Sequence, residues 1–82
     1  MTASPLIWRQ TAHGFEAELD RGMDTFRAAV SPAAKGGGEI EVEHQTRGNP
    51  QSNYCPGTLE EAQAQAKLEL REFVQTWSEL DV

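Results

Sequence analysis

The stretch TLEEAQAQAKLELREFVQTWSEL, residues 58–80, limits what the rest of the chain can be. Leu59, Ala62, Ala66, Leu70, Phe73, Trp77 and Leu80 recur at steps of three or four, which draws one apolar stripe along a helix. Thr58 followed by Glu61 makes a capping box, and Glu60 and Glu61 suit the positive N-terminus. A helix over 59–80 is ~33 Å long at ~1.5 Å per residue. Its stripe must be buried. In a chain of 82 residues, read as a single domain over 1–82, the residues before Thr58 are the first to look to for that cover.

Those residues alternate with a period of two. In FEAELD, Phe15, Ala17 and Leu19 alternate with Glu16, Glu18 and Asp20. In TFRAAV, Phe26, Ala28 and Val30 alternate with Thr25, Arg27 and Ala29, and in EIEVEH, Ile40 and Val42 sit between Glu39, Glu41 and Glu43. Each reads as a half-buried antiparallel strand. Ahead of them PLIWRQTAHG reads as a short strand or extended arm, with Gly14 at a turn. SPAAKGGG, residues 31–38, reads as a flexible connection, and the polar, turn-rich 46–57 as a loop before the helix.

The expected fold is α+β. Three antiparallel strands, or four if the first segment joins them, are covered on one face by one long C-terminal helix, in the order β-β-β-α. A six-residue strand spans only ~20 Å, so the helix should overhang its sheet. Either Leu6, Ile7 and Trp8 cover the overhang, or a second subunit buries Trp77 and Leu80. Phe73, Trp77 and Leu80 are therefore a candidate helix interface, and a homodimer is one outcome.

With the apolar faces turned to the helix, Phe15, Ala17, Leu19, Phe26, Ala28, Val30, Ile40 and Val42 form the core layer. The other face carries two acidic rows: Glu16, Glu18 and Asp20, and Glu39, Glu41 and Glu43, with Arg27 between them in a simple meander. Same-face neighbours on a strand are ~6.7 Å apart, and strands two places apart ~9.5 Å. That second distance is about one Debye length at ~0.1 M salt, so the rows repel weakly. An open sheet face needs charge to stay soluble and unpaired, but mixed signs would serve with less repulsion. Six acids against one base fit either a solvated face that keeps the open sheet soluble and unpaired or a surface that meets a basic partner, and their spacing is near that of phosphates along a nucleic-acid strand.

The remaining chemistry is thin. Cys55 with His13 or His44 lacks a third orienting group, and the lone cysteine cannot form an internal disulfide. Glu41, Glu43 and His44 could share a metal only if adjacent strand residues faced the same way, which they do not; His44 instead continues the inner face of Ile40 and Val42. KGGGE precedes a strand rather than opening a helix, so it is no phosphate loop. The sheet-then-helix order is shared with double-stranded-RNA-binding domains, but the helix start reads TLEEAQ where they place bases. A net charge of −6 disfavours nucleic acid and anionic membranes and favours basic partners. No enzyme, cofactor or metal is expected.

MTASPLIWRQ shows neither a basic start nor an apolar run, and nowhere do ~18 apolar residues occur in sequence. The expectation is a cytoplasmic protein.

Thr58, Glu60, Glu61 and Ala62, in TLEEAQAQAKLEL after antiparallel strands, resemble the strand-to-helix junction of HicB-type antitoxins over roughly residues 56–70. Most of the chain, from Trp8 through Gly14 and Phe15, a charged strand and the terminal helix, resembles small proteins of phages and mobile elements, among them anti-CRISPR proteins. That resemblance implies a non-catalytic inhibitor acting in the host cell. Its acidic face would occupy the nucleic-acid-binding surface of a host protein or complex. The antitoxin resemblance implies instead a module acting through its C-terminal helix.

Overall fold

The computed structural model describes residues 7–21, 24–45 and 48–80. Five strands, β1 (Arg9–Thr11), β2 (Gly14–Arg21), β3 (Asp24–Pro32), β4 (Gly38–His44) and β5 (Gly48–Cys55), precede one helix, α1 (Leu59–Leu80). The strands form one antiparallel sheet in the order β1-β2-β3-β4-β5, a meander in which every strand pairs with its neighbour in sequence.

The α+β class is as expected, but among the described residues the strand count is five. The fifth strand corrects the expectation of a loop over 46–57. GNPQSNYC has no apolar alternation, and it is held by its backbone ladder to β4, with Glu39 opposite Tyr54 and Glu41 opposite Ser52. A bulge between Val42 and His44 adjusts that ladder near the turn. Residues 31–38 also shrink as a connection. β3 runs to Pro32 and β4 starts at Gly38, and the turn between them is closed by backbone bonds from Gly36 N to Ala33 O and from Ala33 N to Gly37 O.

α1 covers one face of the sheet. It begins with the expected capping box: Glu61 N donates to Thr58 Oγ1 at 3.1 Å and Thr58 N to Glu61 Oε1 at 3.2 Å. The helix lies across β3 and β4 and touches β5. Ala62, Ala66 and Leu70 are fully buried against Ala28, Val30, Ile40 and Val42. Small residues set the approach. A Cβ on Gly38 would stand 2.8 Å from the Ala62 Cβ and 3.0 Å from Val30 Cγ1, closer than carbon atoms pack.

Because the helix sits over β3 and β4, β2 lies to one side of it. Ala17 is fully buried, but Phe15 and Leu19, expected in the core layer, are only half-buried.

The far end of α1 finds its apolar surface within the sheet. His44 is 1% exposed and its ring meets Phe26 edge-on at 4.9 Å and Trp77 at 5.1 Å. Phe73 bridges Phe26 at 6.0 Å and Trp77 at 6.1 Å. Edge-to-face rings at these separations are mutually favourable. Of the expected cover from the N-terminal arm, Trp8 packs on the core, Ile7 does not and is 77% exposed, and Leu6 lies outside the described residues.

Candidate functional site

The uncovered face of the sheet collects the six predicted carboxylates. The meander places β3 between β2 and β4, so Arg27 stands opposite Glu18 on one side and Glu43 on the other. Its guanidinium reaches three carboxylates. Nε donates to Glu43 Oε1 at 2.6 Å, Nη2 to Glu41 Oε1 at 2.9 Å, and Nη1 to Glu16 Oε2 at 3.3 Å. Partial burial works against the charged form of Arg27. The hydrogen bond to Glu43 and the fields of Glu43, Glu41 and Glu16 outweigh that, so its pKa is raised above the ordinary value.

A second cation joins from β1. Arg9 pairs with Glu16 at 2.7 Å and Glu18 at 3.4 Å. Sequence reasoning missed Arg9 because a three-residue strand leaves no periodic signal; only its pairing with β2, Arg9 opposite Glu16, brings it onto this face. Polar neighbours bind two more carboxylate oxygens: Thr25 Oγ1 donates to Asp20 Oδ1 at 2.9 Å and Gln45 Nε2 to Glu18 Oε2 at 2.7 Å. Glu39 is exposed and forms no ion pair among the described residues. Six carboxylates thus face two guanidinium groups, an excess of acid over base.

The face is therefore not six free acids. Glu16, Glu41 and Glu43 are tied to Arg27, while Glu18, Asp20 and Glu39 remain exposed around them. A depression of about 410 Å³ is lined by Glu39 and Glu41 together with Ala29, Ser31, Ser52 and Tyr54. Tyr54 is fixed at its rim: its hydroxyl donates to Gly36 O at 2.9 Å, and Lys35 Nζ lies 5.3 Å from the ring centre.

The other candidate residues are scattered. His44 faces the core, opposite in direction to Glu41 and Glu43, and binds Asp24 Oδ1 through Nε2 at 2.8 Å. Cys55 is half-buried at the end of β5 opposite Gly38, whereas His44 lies at the other end of β4. His13 sits in the β1–β2 turn, three strands from β5, or ~14 Å at ~4.8 Å per strand. Nothing brings the three together. Among the described residues no group of three or more His, Cys, Asp or Glu side chains is arranged to hold a metal ion.

At the helix interface, Phe73 is 5% exposed, which corrects its place as an accessible contact: Phe26 and Trp77 already cover it. Trp77 is half-buried against His44 and Phe73, and the Leu80 side chain lies outside the described residues.

Compared with known proteins, the chain matches no family model, no curated protein and no solved structure. The fold class is an α+β meander with one helix on one face. No helix among the described residues is long and apolar enough to cross a membrane.

Proposed function

We propose that this is a non-catalytic, anti-CRISPR-like inhibitor from a phage or mobile element. Its acidic sheet face occupies a basic nucleic-acid-binding surface on a host protein or complex. The observation that carries the reading is the segregation of charge. All six carboxylates of the two rows lie on the one sheet face that α1 leaves open, and two arginines offset only part of them.

The Arg27 network supports it in a second way. A guanidinium shared by three carboxylates lowers their mutual repulsion and restrains their rotamers before any partner arrives. Binding then loses less side-chain freedom than it would with six mobile glutamates. A face of one sign also steers a basic partner toward it, and such steering weakens as salt screens it.

The alternative, a HicB-like antitoxin or self-associating module acting through Phe73, Trp77 and Leu80, has less to draw on because Phe73 is spent inside the chain. The test is affinity capture from host lysate at low and high salt, with the retained proteins identified by mass spectrometry. The inhibitor reading expects one nucleic-acid-handling complex that is lost at high salt and displaced by added nucleic acid. A small partner retained at high salt, or only the protein itself, would move the case to the helix.

A further inference from the structure

We propose that the groove between β2 and α1, on the opposite side of the sheet from the carboxylate rows, is a second docking site. Its occupant is an acidic peptide segment that carries an apolar side chain. The groove measures about 410 Å³ and is lined by Leu19 and Arg21 from β2 and by Arg71, Val74 and Gln75 from α1. It exists because α1 lies across β3 and β4 and leaves the β2 side of the sheet uncovered. Leu19 is half-buried in consequence, and Val74 belongs to the core wall beside it.

Among the described residues, the charges around this groove have no counter-ions. Arg21 and Arg71 are exposed, and among the described residues neither forms an ion pair. Lys67, one helical turn before Arg71, forms none either, and two like charges four residues apart oppose the helix that carries them. Asp24 stands directly opposite Arg21 in the strand register, but its carboxylate is engaged by His44 at 2.8 Å.

The chain has thirteen acids for seven bases, so counter-charges are plentiful elsewhere. Charge complementarity selects an acidic occupant, to whose carboxylates each arginine fork can donate two hydrogen bonds. The apolar floor of Leu19 and Val74 favours a peptide with an apolar side chain over a bare polyanion.

The test is a titration of the isotope-labelled full chain with a short synthetic peptide of Glu and Leu, followed by backbone amide chemical shifts. Shifts should concentrate at Leu19, Arg21, Arg71, Val74 and Gln75 and spare residues 39–43. The double variant Arg21→Glu, Arg71→Glu should weaken the peptide by ~10-fold or more, since it removes both charge-assisted contacts. Arg71→Gln alone, at an exposed helix position, should weaken it several-fold and serves if the double variant does not fold. Absence of binding, shifts confined to another surface, or unchanged affinity in a folded variant would overturn the proposal. Equal affinity for a polyglutamate of the same length would overturn it too, because the apolar floor would then contribute nothing.

Discussion

Arg27 holds together what would otherwise be a self-repelling surface. It stands between two acidic strands and binds Glu16, Glu41 and Glu43. Removing it deletes three charge-assisted contacts and leaves three carboxylates close together without their shared cation. Arg27→Met should cost about 1–2 kcal/mol in urea unfolding, near the value of a hydrogen bond to a charged group after surface screening. The cost should shrink as salt is added, because salt relieves the repulsion that the arginine no longer offsets.

Gly38 acts at the same scale but through space rather than charge. A methyl group there would press on Ala62 and Val30. Gly38→Ala should destabilise by about 1–3 kcal/mol, the usual cost of overpacking, visible as a lower thermal midpoint. Gly37, its neighbour, has φ +72° and would drive a Cβ to 2.1 Å from Cys55 O, so the KGGGE glycines serve a tight crossing rather than an anion.

Among the elements, α1 was the most legible, because its stripe and capping box are local signals that tertiary packing does not override. Thr58→Ala should lower stability by about 1 kcal/mol through the lost cap. The three alternating strands were legible for the same kind of reason. β5 was not: GNPQSNYC shows no apolar alternation and none of its described side chains is buried, so no pattern marks them, and only the free ladder of β4 makes them a strand.

As an edge, β5 is also blunted. The Tyr54 N–H donates to Asn53 Oδ1 at 2.9 Å, and Pro50 has no N–H, so two backbone donors are closed to an incoming strand. The overhang of α1 was inferred from length, but its resolution was not legible. That depended on His44, which alternation placed on the inner face without showing that Phe26, Phe73 and Trp77 meet around it. Trp77→Ala should cost about 2–4 kcal/mol by opening that cluster, while sedimentation finds the same assembly state as the parent. A change in assembly state would favour the helix-interface reading instead.

At the scale of the whole molecule, the two acidic rows could be read from alternation alone, and their shared face follows from the meander. The neutralising pairs could not be read, since Arg9 reaches the rows only through a three-residue strand. The pairing also decides which acids can be changed without disturbing the fold. Glu16, Glu41 and Glu43 hold Arg27, whereas Glu18, Asp20 and Glu39 are exposed and free of that clamp. The most direct measurement is therefore capture of the host partner by the triple variant Glu18→Lys, Asp20→Lys, Glu39→Lys, checked as folded by circular dichroism, beside the parent protein at low salt. The acidic-face account predicts that the parent retains a nucleic-acid-handling complex and the folded triple variant does not. Equal retention by the two would contradict it.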